Sequence, residues 1–335
     1  MKTLKQKLKR LPFPWVLILE GGLLALCFLL SLLCGAAALS PLEVIEGLFG
    51  GGDETTRAIV LGLRLPRALA GLLAGAALSV SGVLLQSVTG NGLASPNVIG
   101  VNSGAGLAVI LLLAFFPALQ AFLPFFAFLG AFAATLVTVY LARRFGGSAS
   151  TVVLAGVALT SLFNAAISFI TLLDTDVVSA YNYFSIGGLS GVLMQQLPLP
   201  ALFILVSFLL SLLLSRPLEA LRLGDGTAKS LGVRVTPLRT VALICACASA
   251  AASVSFAGLL GFVGLVVPHM TRALVGERIS RILPASALLG GSLVLLSDLV
   301  GRTLLAPTEI PVGILMALIG APFFLFLLIR RCRHA

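Results

Sequence analysis

Apolar runs long enough to cross a bilayer recur from one end of the 335-residue chain to the other. A helix needs about 20 apolar residues to cross about 30 Å of hydrocarbon at about 1.5 Å per residue. The runs lack the period-two alternation of the strands in a membrane barrel. Charged residues make up only 10% of the chain, against roughly 25% in a soluble domain. We therefore predict an all-α polytopic membrane protein.

The apolar runs predict ten transmembrane helices within one membrane domain that covers residues 1–335. The predicted spans are 14–37, 65–88, 96–116, 121–142, 151–173, 197–215, 237–258, 260–276, 282–305 and 311–330. An even number of spans places both termini on the same side of the membrane. The longest polar insert, residues 216–239, lies between the sixth and seventh spans.

The distribution of lysine and arginine selects the orientation, because these residues stay with the cytoplasmic loops. If the N-terminus is cytoplasmic, eighteen of the 22 basic residues lie on the inner side. These are Lys2, Lys5, Lys7, Lys9, Arg10, Arg143, Arg144, Arg216, Arg222, Lys229, Arg234, Arg239, Arg272, Arg278, Arg281, Arg330, Arg331 and Arg333. Only Arg57, Arg64, Arg67 and Arg302 remain outside. The formal charge of +10 therefore reflects topology rather than nucleic-acid binding. We predict a multi-pass protein of a bacterial inner membrane with both termini in the cytoplasm.

A faint internal similarity links residues 76–86 (AALSVSGVLLQ) with residues 251–261 (AASVSFAGLLG). The first segment lies on a span that runs inward, and the second lies at the end of a span that runs outward. This is the arrangement of an inverted repeat. The signal is weak, because small residues are common in all membrane helices.

Four polar residues of the fifth predicted span share one face of the helix. Thr160, Asn164, Ser168 and Thr171 fall at about 0, 40, 80 and 20 degrees on a helix that turns about 100 degrees per residue. Such a stripe can form interhelical hydrogen bonds, each worth about 0.6 kcal/mol in membrane proteins. It can also line a translocation path, and we favour this second interpretation.

The predicted spans contain few groups that could drive transport. Glu20 lies near the inner end of the first span, and Asp298 lies one helical turn before Arg302, so that these two can pair. No series of buried carboxylates typical of a proton- or sodium-driven carrier is evident. The energy source is therefore expected on another chain. The cysteines and histidines show no metal-ligand spacing, and we predict no metal site.

The cytoplasmic segment Gly224–Ser230 (GDGTAKS) superficially resembles a phosphate-binding loop. A Walker A motif needs Gly directly before its Lys and another Gly five residues earlier, where this chain has Ala228 and Leu223. The segment is therefore not interpreted as a nucleotide site. Its small residues favour a short helix along the cytoplasmic surface, where a partner could push.

An ordered set of motifs from about Arg64 to Arg331 resembles the FecCD-type permeases of iron-siderophore and vitamin B12 importers. The motifs are Arg64-Leu65-Pro66-Arg67, residues 82–86, residues 91–96 (NGLASP) continuing through Gly100 to Gly104, residues 224–232, residues 261–265 (GFVGL) with Pro268, His269 and Arg272, Asp298 with Arg302, and residues 309–313 (EIPVG) with Gly320 and Pro322. Each motif alone is unspecific, but the ordered set is highly specific. One departure is Gly92, where the family usually has Pro, so the backbone of this inner loop is expected to be looser.

The resemblance implies a type II ABC importer permease fold that works as a homodimer or close heterodimer, with the path between the two copies. It implies two cytoplasmic ATPase subunits, which carry the ATP and Mg, and an extracytoplasmic substrate-binding protein. No cofactor is expected on this chain.

The resemblance also implies roles for individual residues. The helix that couples to the ATPase corresponds to Gly224, Asp225, Gly226, Thr227, Ala228, Lys229, Ser230, Leu231 and Gly232. Positions near the cytoplasmic gate correspond to Asn91, Leu93, Ala149 and Ser150. The arginines that meet acidic residues of the binding protein correspond to Arg64, Arg67 and Arg302. The charge pattern independently leaves these three arginines outside.

The expected function is translocation of an iron-siderophore or related metal chelate across the cytoplasmic membrane. Import of cobalamin or haem stays open, because these cargoes share the scaffold. A secondary carrier is a distant alternative. The chain is not expected to be an enzyme, because no nucleophile with a matching base and no metal cluster is evident.

Overall fold

The computed structural model describes residues 12–35, 37, 39–146 and 148–332, and its regular elements in these ranges are helices. They are α1 (Phe13–Leu33), α2 (Pro41–Leu48), α3 (Glu54–Arg57), α4 (Leu65–Thr89), α5 (Val101–Phe115), α6 (Leu123–Arg144), α7 (Ala149–Leu173), α8 (Val177–Ile186), α9 (Pro198–Leu221), α10 (Asp225–Ser230), α11 (Val235–Ala257), α12 (Val263–Val275), α13 (Ile279–Thr303) and α14 (Val312–Cys332). A π-helical stretch, Ala58–Arg64, joins α3 to α4. Short 3-10 turns occupy Pro96–Ile99, Pro117–Phe122 and Met194–Gln196.

Ten of these helices coincide with the ten predicted spans. Seven helical segments in the described part of the chain are long and apolar enough to cross a membrane. They are α1, Glu54–Thr89, Pro117–Arg144, α7, α9, α11 and α13. The shorter apolar helices α5, α12 and α14 lie at the third, eighth and tenth predicted spans. The predicted all-α polytopic fold is confirmed.

The third and eighth spans are shorter than predicted, because non-helical backbone precedes each helix. The 3-10 turn Pro96–Ile99 ends at Gly100, whose φ is 89°, and α5 begins only after it. In the same way, α11 ends before Gly258, whose φ is 67°, and α12 begins after Phe262. Phe262 has a φ of 63°, a value that non-glycine residues rarely adopt. Hydropathy alone could not place these boundaries.

The helices α4 and α11 form the core, and they are the most buried of the long apolar helices. A Cβ atom on Gly75 would overlap with the backbone of Gly290 in α13, and one on Gly82 would overlap with that of Gly264 in α12. Glycine at these two positions therefore allows close backbone contact between helices, as small residues do in membranes.

The two similar segments, residues 76–86 and 251–261, both include core residues of α4 and α11. The Oγ of Ser249 donates a hydrogen bond to the carbonyl oxygen of Ala77 at 3.1 Å, so the two helices contact each other near the start of both segments. The inverted relation between these segments stays a prediction.

One connecting segment contains a helix that hydropathy did not reveal. The helix α2 begins with a capping box, in which Ser40 Oγ accepts from the Glu43 backbone N–H at 3.3 Å. The Glu43 carboxylate in turn accepts from the Ser40 backbone N–H at 2.6 Å. These two bonds satisfy donors that a helix start otherwise leaves unpaired.

Candidate functional site

Two arginines from other helices bind the end of α1. The last carbonyl groups of a helix have no partner within that helix. Arg64 Nη1 donates to the carbonyl oxygens of Leu32 at 2.7 Å and Leu33 at 2.9 Å. Arg302 Nη2 donates to the carbonyl oxygen of Ser31 at 2.6 Å and to its Oγ at 2.8 Å. Each arginine is only 4% exposed, so both guanidinium groups stabilise the end of α1 from inside the protein. The two positive charges also interact favourably with the negative end of the α1 helix dipole.

Arg67 of α4 joins two acidic residues. Its Nε and Nη2 donate to Asp298 Oδ1 at 3.0 and 2.9 Å, and its Nη1 donates to the two Glu309 carboxylate oxygens at 3.0 and 2.9 Å. The Asp298 side chain is 2% exposed and lies 3.6 Å from Arg302 Nε, which is the pairing that the sequence predicted. The Glu309 side chain is 34% exposed. Arg67 therefore contacts a buried acid on one side and a solvent-accessible acid on the other. We call Arg64, Arg67, Asp298, Arg302 and Glu309 the arginine face.

Arg64, Arg67 and Arg302, the predicted docking arginines, all have hydrogen-bond partners within the chain. Each of them is bonded within the chain, because burying an unpaired charged group is costly. Arg64 and Arg67 also bind different neighbours, one the end of α1 and the other α13. Contact with a binding protein stays a prediction for all three. Among the described residues, Arg67 is the one of the three with a partly exposed acidic partner, Glu309, that another acid could replace.

The polar stripe lies partly on the surface of α7. Asn164 and Ser168 are exposed, whereas Thr160 and Thr171 are half-buried. Ser103 Oγ of α5 donates to Thr160 Oγ1 at 3.4 Å, and Thr171 Oγ1 donates to the Ser168 carbonyl oxygen at 2.9 Å. The exposed members have no interhelical hydrogen bond among the described residues. The structure therefore leaves half of the stripe available to another surface.

The predicted gate residues lie at the end of α4 and the start of α7. Asn91 Oδ1 accepts from the Leu93 backbone N–H at 3.0 Å, which closes a local turn. Ser150 Oγ lies 2.9 Å from Ser148 Oγ, next to Ala149, the first residue of α7. No hydrogen bond joins the two segments within the described ranges. Gly92 has open space around its Cα, so a larger residue would fit there.

The short helix predicted at residues 224–230 is α10. Gly224, with φ 101°, separates it from α9, and Gly232, with φ 80°, follows it. Ala228 is fully buried, and Asp225 pairs with Arg239 Nη2 of α11 at 3.0 Å. These contacts attach α10 to the rest of the bundle. Gly226, Thr227, Lys229, Ser230 and Leu231 are exposed around it.

Residues 23–330 match the FecCD transport family. The chain belongs to the FecCD transport family. This FecCD chain is 37% identical over 329 residues to the Fe(3+)-citrate import system permease protein YfmE of Bacillus subtilis (strain 168), with 98% of each chain covered. It is also 37% identical over 318 residues to the vitamin B12 import system permease protein BtuC of Vibrio cholerae serotype O1, with 93% of each chain covered.

The fold of this FecCD chain is similar to a solved chain of a metal-chelate type ABC transporter in an inward-facing conformation. The TM-score is 0.83 at 32% identity, over 95% of this chain and 99% of the other. The predicted family and permease fold are confirmed, and the chain is a multi-pass permease of the ABC importer class.

Proposed function

We propose that this chain is the membrane-spanning subunit of an ATP-driven importer that carries an iron chelate into a bacterial cell. The observation that carries the proposal is the 37% identity to an Fe(3+)-citrate permease over 98% of both chains. A separate subunit hydrolyses the ATP, because Gly224–Ser230 lacks the Gly-Lys pair of a phosphate loop.

The complex in this proposal contains two ATPase subunits, and α10 with its flanks is the part of this chain that contacts the ATPase. This end of the bundle then faces the cytoplasm. Leu223 and Leu231 expose apolar side chains before and after the helix. In this proposal the two leucines form the apolar part of the ATPase contact. The buried Ala228 and the ion pair from Asp225 to Arg239 fix α10 against the bundle. A push on α10 would therefore move α11, a helix of the core.

The translocation path in this proposal runs between two copies of the permease, and the polar stripe of α7 lines it. Polar groups that face lipid are unfavourable, and exposed Asn164 and Ser168 would avoid that cost on a path that admits water. The stripe leads along α7 to Ala149 and Ser150 at its first turn. These two residues, with Asn91 and Leu93 of the neighbouring loop, are proposed to form the cytoplasmic gate.

The extracytoplasmic binding protein docks on the arginine face in this proposal. An acidic side chain of that protein replaces Glu309 as the partner of Arg67 Nη1. Asp298 keeps the guanidinium group in place through Nε and Nη2 during the exchange. In this proposal Arg67 is the arginine whose partner is exchanged, and Arg64 and Arg302 support the site by fixing the end of α1.

A cobalamin importer is the second candidate, since the identity to a vitamin B12 permease is also 37%. The test uses the complex of this chain with its ATPase and binding protein in proteoliposomes. ATP hydrolysis is measured with ferric citrate, a ferric hydroxamate, haem and cobalamin as ligands of the binding protein. We expect a ferric chelate to stimulate hydrolysis several-fold. Stimulation by cobalamin or haem alone would contradict the iron proposal, and failure of any ATPase to co-purify would contradict the importer assignment.

A further inference from the structure

A cavity of about 520 Å³ opens at the end of the bundle that carries α10. It lies between the C-terminal end of α9 and the turn from α12 to α13. Its charged lining residues are Glu219, Arg222, Glu277, Arg278 and Arg281. The arginine face lies at the opposite end of α13, since Arg302 is close to the last residue of that helix. We call this site the basic cavity.

Both acidic residues of the basic cavity already have partners. Glu219 Oε1 accepts from the backbone N–H and the hydroxyl of Ser280, each at 3.3 Å. Glu277 Oε2 lies 2.6 Å from Arg222 Nη2 and 3.9 Å from Arg272 Nε. Glu277 is therefore paired with arginine, whereas Glu219 keeps its negative charge because its Ser280 donors are neutral. The cavity lining combines the two glutamates with the arginines Arg222, Arg278 and Arg281, so positive charge is in excess.

Two arginines of the basic cavity, Arg278 and Arg281, form no salt bridge with a carboxylate among the described residues. Arg278 is exposed and forms no ion pair within the described residues. Arg281 lies over the ring of Phe13, with its Cζ 5.5 Å from the ring centroid, and has no acidic partner in the same described ranges. Both precede or begin α13, where the positive end of the helix dipole adds to the attraction for an anion. The basic cavity is therefore suited to a negatively charged group.

The ends of the membrane-spanning helices around the basic cavity indicate the level of the lipid headgroups. Three membrane-spanning helices begin or end beside it: α1 at Phe13, α9 at Leu221 and α13 at Ile279. Trp15, two residues after Phe13, is 59% exposed, and tryptophan is typical of the membrane interface. Ile18 and Leu19 continue an exposed apolar surface along α1. A lipid whose head lies in the cavity would find an apolar surface for its acyl chains.

We propose that the basic cavity binds the phosphate headgroup of an anionic phospholipid. Guanidinium groups form strong charge-assisted hydrogen bonds with phosphate oxygens, and Arg278 and Arg281 supply them here. Basic pockets at the cytoplasmic side of membrane helices are suited to such headgroups. The lipid would connect α1, α9 and α13 at the base of α10. Arg281 of the cavity lies over Phe13 in the first turn of α1, and this connection to a membrane-spanning helix favours a lipid as the occupant. Leu223, which flanks α10, also lines the cavity, so the ATPase is the alternative that the test must distinguish.

The test uses Trp15, the single tryptophan of the chain. The purified full-length chain is placed in phosphatidylcholine vesicles that contain phosphatidylglycerol with brominated acyl chains, which quench nearby tryptophan. Brominated phosphatidylcholine gives the reference. We expect a preference for phosphatidylglycerol on the order of fivefold, which corresponds to about 1 kcal/mol at 25 °C. Arg278→Gln alone should lower the preference, and Arg278→Gln with Arg281→Gln should remove it.

The matched control is Arg216→Gln with Arg234→Gln. These arginines are exposed in the segment that contains α10 but do not line the basic cavity, so the preference should be unchanged. Equal quenching by the two lipids in the unmodified chain, or a full preference in the cavity variant, would overturn the proposal. Loss of the preference on adding inorganic phosphate at constant ionic strength would assign the site to soluble phosphate instead. Loss of ATPase association in the cavity variant, with lipid preference intact, would assign it to the ATPase.

Discussion

Arg67 and Asp298 connect α4 to α13 through two donors of one guanidinium group, Nε at 3.0 Å and Nη2 at 2.9 Å from Asp298 Oδ1. Because Asp298 is almost fully buried, this contact fixes the direction of the arginine. The remaining Nη1 bonds to Glu309, which is partly exposed. Asp298 is therefore the structural partner of Arg67. Glu309 is the partner that we propose an acidic residue of the binding protein replaces.

The first prediction concerns Glu309. Replacing it as Glu309→Gln removes the internal competitor for Arg67 Nη1, so an acidic binding protein should bind more tightly. The association rate should also fall more steeply with salt, because the freed charge steers an acidic partner. Surface plasmon resonance with the reconstituted permease measures both quantities. The control is Glu43→Gln, which removes an acid that caps α2 rather than one that pairs with Arg67. Unchanged or weaker binding in Glu309→Gln would rule out the exchange.

The second prediction distinguishes a structural role of Arg64 from a direct contact between Arg64 and the binding protein. Arg64→Met leaves the carbonyl oxygens of Leu32 and Leu33 without their donor, which should lower the free energy of unfolding by roughly 1–3 kcal/mol. Affinity for the binding protein should stay unchanged in the folded fraction. Thermal unfolding in detergent and the binding assay measure the two effects. Arg57→Met is the control, since Arg57 is exposed on α3 and should tolerate the change. A stable Arg64→Met protein that no longer binds its partner would reverse the assignment.

The third prediction compares an exposed position directly after α10, Leu231, with a buried position within it, Ala228. Leu231 is exposed, so Leu231→Asp should reduce transport and ATPase association while the chain remains folded and inserted. Ala228 is fully buried, so Ala228→Asp should instead detach α10 and destabilise the protein, because an unpaired charge would be buried. Co-purification of the ATPase and thermal unfolding are measured for both variants. Normal transport and normal ATPase association in Leu231→Asp would exclude this surface as the contact.

The fourth prediction tests the orientation with a native cysteine. Cys34 is exposed directly after α1, whereas Cys27, Cys245 and Cys247 are buried. A membrane-impermeant maleimide should label the chain on intact cells, and the Cys34→Ser variant should stay unlabelled. Permeabilised cells should then allow labelling of that variant at Cys332, whose side chain lies outside the described residues. Labelling of Cys34→Ser on intact cells would contradict the predicted cytoplasmic C-terminus.

The sequence could predict the spans because the bilayer imposes a length and an apolar composition on each of them. Signals within a few residues of each other along the chain also predicted two features of the site, an ion pair and a short helix. The spacing of Asp298 and Arg302 predicts their pairing, and glycines at 224 and 232 bound the short helix α10.

The partners of the arginines could not be predicted in this way. Arg64 and Arg302 bond to the end of α1, which is distant from both of them in sequence. A basic residue at the end of a span has the same sequence pattern whether it lies free among the headgroups or binds a helix end. Only the packing of α1 against α4 and α13 distinguishes these cases. Similarly, nothing in the residue type of Phe262 indicates its positive φ, which depends on the packing around the start of α12.

The central claim is that ATP hydrolysis on a partner subunit drives import of an iron chelate through this chain. The most direct measurement is uptake of a radiolabelled ferric chelate into proteoliposomes that contain the permease, its ATPase and its binding protein. We predict accumulation that requires ATP and Mg on the ATPase side and persists when proton and sodium gradients are abolished. Uptake by the permease alone, driven by an ion gradient and indifferent to ATP, would contradict the account.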